Sequence, residues 1–325
     1  MLEALKFVRG AVAKKDFVPE LTHYLIRAGR ITGFNGRIAL SCKIDTDLDI
    51  APKALPFIKA IERCETTTKM HVTPTGKVSI KSGKKRFLID QMEEKEYPEI
   101  VPEDSEKIEL PEQGFTQTLK ELLPFVAEDA SRPWAKGILF RNGYAYATNN
   151  IILVQKWLGF HLPFEINFPQ HAINELIRIK RSPTRIQVTE NAATFWFDDD
   201  TWMRTNLLAT EWPDLDGLLD KHASCPPDTA VNLDDNTFQA VEDLSPFVDE
   251  LGRIFLNGAS FGTTQVEDHG AHIEVGDLGT DKACYHFKQL KLVHNIAQTI
   301  NFAAYPNPCS FFGEGLRGLL VGIRT

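Results

Sequence analysis

RFLIDQMEEKEYPEI, residues 86–100, runs an alternating strand into an acidic turn and then into the aromatic-proline corner Tyr97-Pro98. The same succession returns in WMRTNLLATEWPDLDGLL, residues 202–219, where the corner is Trp212-Pro213, 115 residues further on. A recurrence at about one third of a 325-residue chain points to a duplicated domain, because the step is far too long for a stacked solenoid.

A second landmark keeps the same step. Amphipathic segments begin at Pro52 (PKALPFIKAIERC), Pro169 (PQHAINELIRIKR) and Phe287 (FKQLKLVHNIAQTI), 117 and 118 residues apart. Proline in a first helical turn sacrifices no intrahelical hydrogen bond, which marks the first two as helix starts. Each third also opens on an amphipathic segment: LEALKFVRGAVAK, FTQTLKELLPFVAED and DDNTFQAVEDLSPFVDE. Short alternating runs broken by Gly, Asn and Asp fill the remainder and read as strands. The expected fold is α+β, with three similar domains at 1–112, 113–226 and 227–325; PEDSEKIELPEQ and DKHASCPPDT serve as connectors.

The helix faces carry the functional signal. At 100° per residue the helix near Pro52 groups Ala54, Leu55, Ile58 and Ile61 on one side and Lys53, Lys59 and Arg63 on the other. Its counterpart groups Ala172, Ile173, Leu176 and Ile177 against His171, Asn174, Arg178 and Arg181. The third sets Leu292, Val293, Ile296 and Ile300 against Lys288, Lys291, His294, Asn295 and Gln298. Lys6, Arg9 and Lys120 extend the pattern to two of the opening helices, whereas Asp234, Asp235, Glu242, Asp243, Asp249 and Glu250 make the third opener acidic. The net charge of −8 excludes a general basic coat, yet a local cationic stripe still attracts phosphate.

Other function classes find less support. With 43% hydrophobic and 25% charged residues the composition is that of a soluble globular protein. No apolar run is long enough to span a bilayer and MLEALKFVRG is no signal peptide, so a cytoplasmic protein is expected. The cysteines Cys42, Cys64, Cys225, Cys284 and Cys309 lack metal spacing and are expected to be reduced; no cofactor and no metal site are expected. An enzyme would draw on Asp198-Asp199-Asp200 for Mg²⁺, but the flanking strands make this run an acidic hairpin turn. His269 and His272, at odd spacing on a strand, point to opposite faces. Phosphate-loop and HExxH patterns are missing from the sequence, so a non-catalytic protein is expected.

Taken in order, VRGAVAKKDFVPEL (8–21), SIKSGKKRFLIDQMEEKEYPEI (79–100), GILFRNGYAYATNNIILV (137–154), TNLLATEWPDLDGLL (205–219) and GLLVGIRT (318–325) resemble the bacterial DNA sliding clamp family, the beta subunit of the replicative DNA polymerase III. The resemblance spans nearly the whole chain and lies in the order and spacing of these segments. It implies three clamp domains, each with two helices facing a central hole and antiparallel sheets outside. It also implies a homodimeric ring around double-stranded DNA that acts as a processivity factor without sequence preference. The DNA-facing set it suggests is Lys6, Arg9, Lys15 (at the family's loop arginine), Lys53, Lys59, Arg63, Lys120, Arg178, Arg181, Lys288 and Lys291.

Two further surfaces follow from the same resemblance. A cleft for short linear peptides of polymerase and clamp loader maps to Arg132, Ala135, Thr148, Asn149, Asn150, Ile151, Ile152, Leu153, Leu319, Leu320, Val321, Ile323 and Arg324. A dimer interface maps to Lys81, Lys84, Lys85 and Arg86 of the first domain against Glu267, Asp268, Glu274 and Asp277 of the third. The chain departs from the family where Gly-His-Arg becomes Asn150-Ile151-Ile152 and Met-Pro-Met becomes Val321-Gly322-Ile323, which implies an altered peptide preference. Met1-Leu2 leaves no room for the family's first strand, so an altered edge is expected in domain 1. Such divergence suits a phage-encoded or otherwise specialised clamp. The alternatives are a clamp-fold scaffold or regulator that does not encircle DNA, and a metal-dependent enzyme using Asp198–Asp200.

Overall fold

The computed structural model describes residues 1–15, 17–65, 68–111, 114–129, 131–266 and 268–325. The expected first domain boundary, residues 112 and 113, and the expected interface residue Glu267 lie outside them.

In chain order the elements run through one pattern three times. The first pass has α1 (Leu2–Val8) with a 3-10 turn at Arg9–Ala11, β1 (Tyr24–Arg27), β2 (Arg30–Phe34), β3 (Ile38–Lys43), β4 (Ala51–Pro52), α2 (Ala54–Glu62), β5 (Lys69–Val72), β6 (Val78–Ser82), β7 (Lys85–Ile89) and β8 (Gln91–Met92). The second has β9 (Lys107–Glu109), α3 (Phe115–Leu122) with a 3-10 turn at Leu123–Phe125, β10 (Gly137–Arg141), β11 (Tyr144–Thr148), β12 (Ile152–Trp157), β13 (Ile166–Pro169), α4 (Gln170–Ile179), β14 (Arg185–Val188), β15 (Ala192–Trp196) and β16 (Trp202–Asn206). After an extra helix, α5 (Asp216–His222), the third has β17 (Val231–Asn232), α6 (Asp235–Leu244) with a 3-10 turn at Ser245–Phe247, β18 (Arg253–Asn257), β19 (Ser260–Gly262) and β20 (His272–Glu274). It closes with β21 (Ala283–His286), α7 (Phe287–His294), β22 (Thr299–Ile300), β23 (Cys309–Gly313) and β24 (Leu316–Leu320).

Two expectations need correction. The third basic helix stops at His294, so Ile300 is not on its inner face but in β22, opposite Phe311. The helix closes when Ile296 and Ala297 both donate to the Val293 carbonyl, and Gln298 then donates across to Phe312 in the sheet. The aromatic-proline corner at Trp212-Pro213 leads into α5, whose last three residues, Asp220 to His222, open the stretch DKHASCPPDT expected as a connector.

The chain forms two compact units, residues 1–113 with 174–207, and residues 114–173 with 208–325. The first holds a seven-stranded sheet in the order β1-β2-β3-β16-β15-β14-β9, a three-stranded sheet β5-β6-β7 and the pair β4-β8. The second holds an eight-stranded sheet, β13-β10-β11-β12-β24-β23-β22-β17, and a four-stranded sheet, β20-β19-β18-β21. Each large sheet joins strands from consecutive thirds by antiparallel pairing. In the first unit β3 pairs with β16, Ser41 opposite Trp202 and Ile38 opposite Thr205. In the second β12 pairs with β24, Leu153 opposite Leu319. The middle third is divided between the units because it contributes a strand to both junctions.

Helices seat on these sheets through small and apolar residues. In the first unit Leu5 and Val8 of α1 are fully buried, and a Cβ on Gly33 of β2 would lie only 2.9 Å from the Val8 carbonyl oxygen. That close approach explains the glycine in a strand. In the second unit Phe115 of α3 stacks on Phe140 of β10 at 5.4 Å, and Phe168 meets Phe140 edge-on at 5.3 Å, all three rings excluded from solvent. Removing a ring from this triad leaves a cavity that rigid neighbours cannot close, so Phe140→Ala should cost about 3–5 kcal/mol of unfolding free energy, read by urea denaturation.

Candidate functional site

The first unit gathers cations of two thirds onto neighbouring helices. α1 packs against α2, and Arg178 of α4 donates to the carbonyl of Phe7 at 2.7 Å, tying the end of α4 to α1. Lys53, Lys59 and Arg63 are exposed on or beside α2, Lys6 and Arg9 on or just beyond α1, and Lys15 on the following loop. Lys6 pairs with Glu3 at 3.0 Å across a solvated turn, which is worth little. The side chains of Arg9, Lys15, Lys53, Lys59 and Arg63 have no ion pair among the described residues.

Arg178 is a different kind of cation. Its guanidinium forks onto Glu175, both carboxylate oxygens lying 2.9 Å from Nε, and Glu175 is buried. A buried carboxylate needs this counter-charge, so Arg178 has a structural duty whatever else it touches. Arg181 pairs with Asp199 at 3.0 Å in the acidic turn between β15 and β16. Burial pushes the Asp199 carboxyl up, but hydrogen bonds from Arg181 and Thr201 outweigh it and hold the group at about 2. Asp200 in the same turn binds Lys43 at 2.9 Å, so this run is engaged by cationic side chains.

In the second unit Lys120 of α3 and Lys288 of α7 are exposed. Lys291 is half-buried and salt-bridged to Glu242 of α6, the acidic opener; this pairing explains why it does not stand free on the helix surface.

The same unit holds an apolar cleft of about 130 Å³ at the β12–β24 junction. Leu153 and Leu319 form its floor, and the segment Leu215 to Leu218 at the start of α5 forms one wall. Arg132 and Trp134 line it too, with Pro308 and Val321. Beneath it Leu139, Tyr146, Leu153, Trp212, Leu219, Ala223 and Leu319 make one buried cluster, with Trp134 edge-on to Trp212 at 4.9 Å. Asn150 sits on the rim with φ +73°, and its buried side-chain oxygen has no partner among the described residues.

Structure comparison puts this geometry among known folds. No family model matches the chain, and no curated relative matches its sequence. Among solved structures it is similar to the beta subunit of DNA polymerase from Streptococcus pyogenes (19% identity, TM-score 0.81) and to a DNA polymerase sliding clamp from Bacillus subtilis (18%, 0.81). It is also similar to the Helicobacter pylori beta clamp bound to a DNA ligase peptide (15%, 0.78). These matches cover 99–100% of this chain and 97% of each of those chains. The chain has the bacterial sliding-clamp fold.

Within that clamp fold the structure brings Arg132, Thr148, Asn150, Ile151, Ile152, Leu153, Leu319 and Val321 together around the cleft. The other expected cleft residues lie elsewhere. Ala135 and Leu320 are fully buried, Leu320 because successive residues of β24 face opposite ways. The Asn149 side chain is used by Gln289 and by the turn amides of Ile151 and Ile152. After Val321 the chain crosses to β21, where Ile323 donates to the Cys284 carbonyl, and Arg324 lines a separate pocket with Asp281 and Tyr305. Trp134, Leu215, Leu218 and Pro308 were missed; Leu215, Leu218 and Leu219 do carry helical spacing within a stretch dominated by Pro, Asp and Gly.

Of the expected dimer set, Lys84 lies in the β6–β7 turn, and Lys81, Lys85 and Arg86 are exposed on the two strands. Lys85 reaches the Arg63 carbonyl at 3.0 Å. Glu274 is exposed on β20, Asp268 is exposed, and Asp277 accepts from the Gly279 amide. The separate roles of the cations are testable by urea denaturation. Arg178→Ala, which strands the buried Glu175, should lower stability by about 1–3 kcal/mol, whereas Lys59→Ala should change it by less than about 0.5 kcal/mol.

Proposed function

We propose that this chain is a DNA sliding clamp: a non-catalytic processivity factor whose two copies close into a ring around duplex DNA and tether a polymerase and clamp loader through linear peptides. In this reading its domains span 1–112, 113–226 and 227–325, and it works in the cytoplasm. The observation that carries it is the pattern of strand junctions. β3 pairs with β16 and β12 with β24, so twice the third strand of one opening hairpin set receives the last strand of the next third. By the same rule β20 awaits β7, and among the described residues each of these pairs on one side only. A sheet edge left open in this way favours pairing with another chain, and a head-to-tail contact that closes needs no further copies. Exposed Leu88 on β7 and the opposed charges of Lys84 and Arg86 against Glu274 and Asp277 fit such a junction.

The exposed cations Arg9, Lys15, Lys53, Lys59, Arg63, Lys120 and Lys288 suit loose contact with phosphates, which carries no sequence information and permits sliding. Arg181, Lys6, Arg178 and Lys291 belong to the same DNA-facing set in this reading, each also holding a carboxylate. The cleft suits a peptide with Leu or Phe side chains, each contributing roughly 1.5–3 kcal/mol on burial. A peptide N–H near the unpartnered Asn150 oxygen would add direction. The test uses topology. Chains diluted and then reassembled in the presence of nicked circular plasmid should co-elute with it at raised salt and be released when the plasmid is linearised. Equal retention on linear and circular DNA, or retention on neither, contradicts encirclement.

A further inference from the structure

One wall of the cleft rests on a helix with little hold of its own. α5 is seven residues long, too short to persist without tethers, and Leu218 on it is 39% exposed. Its apolar anchors are Leu219 and Ala223. Asp216 and Asp220 stand on the same stripe, one turn apart, and both carboxylates are taken by the sheet. Arg141 of β10 donates to Asp216 at 3.0 Å, and the Tyr146 hydroxyl of β11 donates to the other Asp216 oxygen at 2.7 Å. Gln155 of β12 donates to the Tyr146 hydroxyl at 2.7 Å and accepts from Arg317 of β24 at 2.6 Å. Arg317 then returns to the helix, donating to Asp220 at 2.7 Å and to the Ala223 carbonyl at 3.2 Å. Gln155 and Arg317 are direct register partners across the β12–β24 junction.

The chain of bonds is a closed circuit from helix to sheet and back. Tyr146 and Gln155 are buried within it, where charge-assisted bonds are strong and an unmade one is costly. Burial and the bond to Asp216 push the Tyr146 hydroxyl up to about 12, so it remains a donor across physiological pH.

We propose that Asp216 and Arg317 are positioning residues for the peptide cleft: through Tyr146 and Gln155 they clamp α5 to the β12–β24 junction and so set where Leu215 and Leu218 stand. The clamp holds the wall in its peptide-receiving place, and loss of a link widens the cleft instead of unfolding the unit. Because the bonds span the junction between consecutive thirds, strain on that junction is transmitted to the cleft. This inference rests on the cleft being a peptide site.

The test uses the full chain and a fluorescently labelled copy of the DNA ligase peptide that occupies the Helicobacter pylori clamp. The wild type should bind it. Asp216→Asn and Arg317→Met should each bind about tenfold more weakly through faster dissociation, with the double variant no weaker than the stronger single effect. In the free variants, α5 amides should exchange with deuterium faster while the amides of β11 and β12 keep their protection. That local pattern separates positioning from general destabilisation. Wild-type affinity in both single variants, additive losses, or faster exchange throughout the unit overturns the inference alone. Failure of the wild type to bind overturns the cleft reading, and the inference with it.

Discussion

Antiparallel strand pairing between consecutive thirds is the interaction on which the rest of this structure depends. Backbone N–H and C=O groups at a sheet edge need partners, and here each third satisfies its neighbour's edge instead of its own. The β3–β16 and β12–β24 junctions thereby build both large sheets. The second junction also builds the cleft, since Leu153 and Leu319 face each other across it and the polar circuit beneath α5 crosses it. Pairing, cleft floor and cleft wall are thus consequences of a single contact.

Charge is distributed to match. A chain of net charge −8 keeps exposed cations on α1, α2, α3 and α7, and spends others on internal carboxylates. Arg178 neutralises buried Glu175, and Lys291 neutralises Glu242 of the acidic opener α6. The α6–α7 pair therefore offers phosphate less than the first unit's helices do. Loose contact of this kind suits the proposed clamp, which would hold DNA by enclosure and still move along it.

Much of the fold was legible from spacing alone. Corners 115 residues apart and helix starts 117 and 118 apart reflect equal element order in each third, and strand and helix types follow from their periods. The segments picked out by the family resemblance line the cleft in part: Thr148, Asn150 to Leu153, Leu319 and Val321 do, and Asn149 does not. What escaped was set by tertiary context. α5 is built from a short stretch rich in Asp, Pro and Gly, and is held by partners such as Arg141 and Arg317 that are remote in sequence. Ala135 and Leu320 have suitable chemistry but face the core. Glu175 and Arg178, three residues apart, could have revealed their pairing in the sequence; Lys291 and Glu242 could not, because the fold alone brings α6 and α7 together.

The most direct test of the account is sedimentation of the chain and of charge-altered edges. The wild type should sediment at twice the 36.6 kDa chain mass, and Lys84→Glu with Arg86→Glu should dissociate it. Adding Glu274→Lys and Asp277→Lys to that variant should restore the dimer, because the swapped charges would meet again at the proposed β7–β20 junction. A wild type that stays monomeric at micromolar concentration, or a dimer indifferent to both sets of changes, would contradict it.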